Sequence, residues 1–239
     1  MKKFVYIVLA AAAIVACKGK GGNKEAVEPA PVEPTDTVKA QAAAKALPAT
    51  PVFDIVTNMG TITVRLFSDT PRHRNNFEKL ALSGYYDSLL FHRVINGFMI
   101  QGGDPYTRDT SMVELYGQGG PSYTIPAEMR NAEGKPLHRH AKGALAAARR
   151  GDIANPFKES SGSQFYIVQN PDNCTHLDGE YTVFGETISG FNVIDKIAGV
   201  QTDRLDRPIN DVRIISIKPD KELNDIQSSG TDIAEETTE

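Results

Sequence analysis

Residues 91–104 constrain the fold more than any other stretch of the chain. They read Phe-His-Arg-Val-Ile-Asn-Gly-Phe-Met-Ile-Gln-Gly-Gly-Asp. Two short apolar runs flank Asn96-Gly97, a dipeptide that tolerates the positive φ of a tight hairpin turn. One cation, Arg93, stands among Phe91, Phe98, Met99 and Ile100. The glycine pair Gly102-Gly103 that follows admits close approach of another backbone. A plain two-residue hairpin puts Arg93 with Phe98 on one face and Met99 with Gln101 on the other. All four converge only with a bulge or a wider loop.

The rest of the chain reads as a mostly β domain with extensions. Residues 52–57 and 61–67 alternate apolar and polar around Asn58-Met59-Gly60 and predict a hairpin. Asp69 or Thr70 caps a helix that begins at Pro71, buries Phe77, Leu80 and Ala81, and stops at Gly84. Residues 143–148, 164–169, 181–186 and 211–218 read as further strands, and 190–200 as a second amphipathic helix carrying Phe191, Ile194 and Ile197. Residues 105–140 form a long polar loop containing Gly117.

The ends differ from the middle. Lys2 and Lys3 precede an apolar run, Phe4 to Val15, that is too short to span a bilayer. Ile14-Val15-Ala16-Cys17 resembles a bacterial lipobox. We therefore expect a signal peptide at 1–16, lipidation of Cys17, and a flexible Pro/Ala/Glu-rich tether over 17–50. The expected location is the cell envelope, lipid-anchored to a bacterial membrane with the domain outside the cytoplasm. Formal net charge is −4, and seven acids against Lys221 lie in residues 219–239. That segment is expected to be a disordered acidic tail, and the charge gives no support to a nucleic-acid partner. With Cys17 lipidated, Cys174 is left as a lone thiol and no disulfide is expected.

Four stretches, taken in order, resemble the signatures of the cyclophilin family of peptidyl-prolyl cis-trans isomerases. The first is residues 91–104. The second is Lys-Gly-Ala-Leu-Ala-Ala-Ala-Arg at 142–149, and the third Ser-Gly-Ser-Gln-Phe-Tyr-Ile at 161–167. The fourth runs from Leu177-Asp178-Gly179 to Val183-Phe184-Gly185. The resemblance spans roughly 51–218. It implies a closed eight-stranded antiparallel barrel capped by two helices, and it implies proline-containing unfolded or exported polypeptides as partners. It needs no cofactor or metal, and nothing in the sequence requires more than a monomer.

Carried over by position, the resemblance makes Arg93 the catalytic cation. Phe98, Met99, Tyr166 and Leu177 line a proline pocket, and Gln101 steadies Arg93 or bonds the substrate. Ala148 and Arg149 offer main-chain groups to the peptide. Gln164 and Gly117 stand at the groove edge, and His92 supports the wall. Two further positions depart from the family pattern. His176 stands where a Trp associated with cyclosporin binding is frequent, so weak sensitivity is expected. Tyr181 stands where a His is usual. Tyr166 replaces a usual Phe and adds a hydroxyl that needs a partner.

The chemistry suits such a set. Rotation about a peptide bond faces a barrier of about 18–20 kcal/mol because resonance makes the C–N bond partly double. In the twisted state the prolyl nitrogen regains a lone pair, so a fixed donor there stabilises only the transition state. A guanidinium stays protonated and acts electrostatically. Other chemistries have little support. Gly-x-Ser-x-Gly is absent around Ser163. Among the five histidines only His138-Arg139-His140 is clustered. The alternative function is a peptide-binding or holdase module that uses the same groove with little turnover. A third reading is an anchored protein whose tether and tail bind a partner.

Overall fold

The computed structural model describes residues 47–229. The expected signal peptide, Cys17, most of the tether and residues 230–239 lie outside that range. Among the described residues, ten strands and three α-helices follow in order: β1 Val52–Thr57, β2 Gly60–Leu66, α1 Pro71–Leu82, β3 Arg93–Ile95, β4 Met99–Gly102, β5 Thr124–Ile125, β6 Ala144–Ala147, β7 Ser160–Ser161, β8 Phe165–Val168, β9 Val183–Ser189, α2 Phe191–Ala198, β10 Ile214–Pro219 and α3 Lys221–Ser228. Eight strands make one antiparallel sheet in the order β10-β1-β2-β9-β6-β8-β4-β3, and β5 pairs with β7 apart from it.

The alternation in β1 and β2 decides which face is inside. Phe53, Ile55, Ile62, Val64 and Leu66 are fully buried, and Ile100, Leu145, Ile167 and Ile214 join them from across the sheet. Helix α1 closes on this core through Phe77, whose ring meets Phe53 edge-on at 5.8 Å and Phe165 at 5.8 Å. Helix α2 adds Val193, Ile194 and Ile197. Pro71 opens α1, as its fixed φ favours.

The sheet curls but does not close through a strand ladder, which corrects the closed-barrel expectation. Its end strands are β3 and β10. The chain just before β3 meets the start of β10 through three main-chain bonds: Ser88 N–H to Ile214 O, Phe91 N–H to Val212 O, and Ile214 N–H to Leu89 O. Ser88 has φ +68°, and the Leu90 N–H is taken by Thr107 Oγ1 at 3.0 Å. The contact is a single bridge, Leu90 with Arg213, whose Leu90 N–H faces away from β10, and the left-handed Ser88 breaks the extended conformation before it, so the closure stays local.

The expected acidic tail is partly structured. Asp220 caps α3 by accepting the Leu223 N–H at 3.0 Å. Asn224 is buried and treats β1 as a strand neighbour would. Its Oδ1 accepts the Val52 N–H and its Nδ2 donates to Val52 O, both at 2.8 Å. Residues 47–50, assigned to the tether by sequence, also dock. Leu47 packs on the core, and Ala49 O accepts from Arg74 Nη1 at 2.9 Å. Asn224→Ala strands the buried Val52 N–H, so urea unfolding should show a loss of about 1–3 kcal/mol. A loss within error would mean that α3 does not secure β1.

Candidate active site

The β3–β4 hairpin settles the question of faces. Arg93 pairs with Gln101, Val94 with Ile100, and Ile95 with Met99, so the loop is the three residues Asn96, Gly97 and Phe98. Gly97 sits at φ +79°. Directly opposed residues share a face, so Arg93, Ile95, Met99 and Gln101 all point away from the core while Val94 and Ile100 point into it. The wider loop brings Arg93, Met99 and Gln101 together. Register then extends the row: Gln101 opposes Tyr166 on β8, Tyr166 opposes Ala146 on β6, and Ala146 opposes Val183 on β9.

A polar chain runs along this row. Asp104 is fully buried and accepts the N–H groups of Gly117 and Gly119 with Oδ2. The carbonyls of the same two glycines accept from Gln164 Nε2 at 3.0 and 2.7 Å. Gln164 Oε1 then accepts from Gln101 Nε2 at 3.1 Å, and Gln101 Oε1 accepts from Arg93 Nη1 at 3.4 Å. Beyond Arg93 stands Asp206, whose Oδ2 is 3.7 Å from Arg93 Nε. Gly103 is obligatory, because a Cβ at its φ of +89° would lie 2.3 Å from Ser163 O. A Cβ on Gly119 would lie 2.1 Å from Asp104 Oδ1. His92 is buried with its ring facing Gly117. Burial lowers its pKa against the opposing pull of Asp104.

Beside the chain lies an apolar cluster separate from the core. Met99, Ala146, Ala148, Tyr166, Val168, Cys174, Leu177 and Val183 are buried in it, and Phe98 and Tyr181 pack on it half-exposed. Tyr166 and Tyr181 meet edge-on at 6.0 Å. His176 is exposed and stacks on Phe98 at 6.4 Å, forming the rim of the cluster. Arg149 lies over the Tyr181 ring at 4.4 Å and is anchored by Glu180 O and Asp152. Its side chain is therefore a wall. The Ala148 N–H is already taken by Gln164 O, and Ser161 N–H bonds the Ala148 carbonyl. The N–H is thus engaged, and the second lone pair of the Ala148 carbonyl is the group of this residue left for a peptide. Next to Gln101 and Gln164 opens a cavity of about 620 Å³ whose walls include Gly117, Pro121, Arg149 and Asn155.

Several partners escape sequence reading. Asp104 and Asp206 are distant in the chain from what they hold. The Tyr166 hydroxyl finds His140 Nε2 at 2.8 Å, and His140 Nδ1 finds Asp178 Oδ1 at 2.8 Å. The two clustered histidines separate, since His138 stacks on Phe67 and meets Asp69. No cluster able to hold a metal exists among the described residues. Ser160, His73 and Glu128 stand at 2.9 and 2.7 Å in a Ser-His-acid line. Ser160 is buried, however, and the space beside His73 is only about 10 Å³. That trio ties α1 to β7 and offers no substrate access.

A family model described as cyclophilin type peptidyl-prolyl cis-trans isomerase matches residues 52–219. The chain belongs to the cyclophilin family. Among curated relatives, peptidyl-prolyl cis-trans isomerase CYP18-2 of Arabidopsis thaliana is 36% identical over 70% of this chain and 93% of its own. Peptidyl-prolyl cis-trans isomerase-like 1 of Homo sapiens is 34% identical over 68% and 89%. The isomerase-like 2 protein of Rhizopus delemar is 39% identical, but the match spans only 28% of that longer protein. Among solved structures, a cyclophilin type isomerase of Cryptosporidium parvum superposes with a TM-score of 0.60. It is 31% identical and covers 71% of this chain and 97% of its own. The same isomerase in the presence of the dipeptide Ala-Pro gives 0.59.

In this cyclophilin the polar chain predicts a graded response. Gln164→Ala removes the partner of Gln101 and of two glycine carbonyls, so kcat/KM on an X-Pro peptide should fall about tenfold, the worth of one to two hydrogen bonds. Unchanged kcat/KM would show that the chain does not hold Arg93. The Arg93–Asp206 pair is long and nearly half-exposed on both sides. Asp206→Asn should therefore change activity by less than about threefold, with the difference fading in high salt.

Proposed function

We propose that this cyclophilin accelerates X-Pro rotation in exported polypeptides by electrostatic stabilisation of the twisted amide. Arg93 is the donor, and the prolyl ring rests on Phe98, Met99, Tyr166 and Leu177. The observation that carries this is the register row, which sets Arg93 and Gln101 on one face with Tyr166 and beside the second apolar cluster. The Ala-Pro dipeptide named with the Cryptosporidium relative supports an X-Pro segment as the ligand.

The mechanism moves no proton. Gln101 and Asp206 approach two different nitrogens of Arg93, which leaves the remaining N–H groups for a substrate. The planar X-Pro amide meets the apolar floor with its ring. As the bond twists, its nitrogen becomes pyramidal and accepts from the guanidinium, and the preceding carbonyl turns toward the polar side. The donor's orientation is fixed beforehand through Gln101, so little reorganisation is needed. A gain of about 10⁵ in rate corresponds to roughly 7 kcal/mol of differential stabilisation. The cavity beside Gln164 has room for side chains preceding the proline.

Placement outside the cytoplasm rests on Lys2, Lys3, the apolar run and Cys17. Diacylglycerol on Cys17 would anchor the chain, and residues 18–46 would give the domain reach. Among the described residues no helix is long and apolar enough to cross a membrane. Cys17→Ser should abolish incorporation of labelled palmitate and move the protein from membrane to soluble fractions. Full retention in the membrane would contradict the anchor.

One observation favours the holdase reading as a second activity. Ile153 and Phe157 are strongly exposed on the loop whose Asn155 and Glu159 line the cavity. Suppression of client aggregation that survives Arg93→Ala and is lost in Phe157→Ser would establish it. Loss of suppression in Arg93→Ala would reduce it to turnover.

A further inference from the structure

One buried titratable group lies against the pocket and has no part in the isomerisation chemistry. His140 precedes β6, and its side chain is 0% exposed. Asp178 follows Leu177 in the pocket wall. Its Oδ1 accepts both the His140 main-chain N–H and the ring at Nδ1, each at 2.8 Å. The ring's other nitrogen, Nε2, meets the Tyr166 hydroxyl at 2.8 Å, and the two rings lie nearly parallel at 8°. Three separate segments thus converge on the ring that floors the proposed proline pocket.

The donor and acceptor roles follow from the carboxylate. An ionised Asp178 can only accept, so Nδ1 carries the proton and Nε2 is left as an acceptor. The Tyr166 hydroxyl then donates to Nε2 and is satisfied. Its ring lies in the cluster of Met99, Ala146, Val168, Cys174 and Leu177, and Tyr181, Arg149 and Asp178 also face it. Protonating His140 turns Nε2 into a donor. The phenol must then accept, and its own proton loses its place. The ring either keeps an unsatisfied hydroxyl or shifts within the pocket.

We propose that Asp178 and His140 are positioning residues of this isomerase, holding Tyr166 in one orientation so that the pocket's grip on the prolyl ring requires neutral His140. Several groups bear on His140. Burial is the largest influence and lowers its pKa, Asp178 raises it, and nearby His176 lowers it. Tyr181, Arg149, Cys174 and Asp178 face Tyr166, whose own hydroxyl is pushed well above the ordinary tyrosine range by burial. The neutral form of His140 therefore prevails at pH 7. It gives way only below the ordinary histidine value of about 6.5. The grip is complete above the folded-state pKa and weakens as pH falls through it.

The inference rests on the proposed seating of the proline on Tyr166. Its test is KM and kcat of the full chain on an Ala-Pro peptide between pH 5 and 8. KM should rise about fivefold toward acid, the worth of one hydrogen bond, with kcat changing much less. Tyr166→Phe deletes one exchangeable hydroxyl and should flatten the KM profile. Asp178→Asn removes the charge that favours protonation and should move the midpoint to lower pH. His140→Leu should raise KM at pH 7.5 in the parent but not in the Tyr166→Phe background. A flat parent profile, or one that persists in Tyr166→Phe, overturns the proposal. A Tyr166→Ala variant with unchanged KM overturns the seating itself, so the two failures are distinguishable.

Discussion

The whole site depends on one three-residue loop. Asn96, Gly97 and Phe98 set the β3–β4 register, and side chains alternate with a period of two. Shortening the loop by one residue would send Gln101 and Met99 to the face opposite Arg93. The loop is fixed from outside. Gln169 Oε1 accepts the Gly97 N–H at 3.0 Å, Asn173 donates to Gly97 O at 2.7 Å, and Phe98 O accepts from the main chain of Gln169 and Asn170. The segment after β8 therefore holds the register that β8 itself needs to place Tyr166.

From that register follow two linings on one surface. One is polar and continuous, from Asp104 through the glycines and glutamines to Arg93. The other is apolar, from Met99 to Val183. Stabilising a twisted amide needs this juxtaposition and nothing that accepts or loses protons. The buried histidines His73, bonded to Glu128, and His140, bonded to Asp178, sit behind the surface as braces. The same residue types serve structure in one place and, through Tyr166, the shape of the pocket in the other.

Much of the fold was legible because the signals are local. Alternation in residues 52–66 and Pro71 followed by Phe77, Leu80 and Ala81 each determine an element within one window. Arg93 among aromatic residues was legible for the same reason. What was not legible depends on contacts between distant residues. Asp206 meets Arg93 across more than a hundred residues, and His140 finds Tyr166 only because β8 and the segment before β6 converge. Helix α3 was hidden by charge, since the acids of residues 220–225 read as solvated tail. Asp220 is in fact a cap and Asn224 a buried clamp. Closure of the sheet was overread because strand runs carry no information on whether their ends pair.

The central claim is that a fixed guanidinium, not the pocket alone, lowers the rotational barrier. The most direct measurement is the exchange rate of an X-Pro peptide by NMR with Arg93→Ala and Arg93→Lys beside the parent, each verified as folded by circular dichroism. A point charge without the planar fork should retain part of the rate in Arg93→Lys, while Arg93→Ala should lose about 10²–10³-fold, the usual cost of one transition-state donor. A folded Arg93→Ala within about threefold of the parent, less than 0.7 kcal/mol on the barrier, would contradict the account.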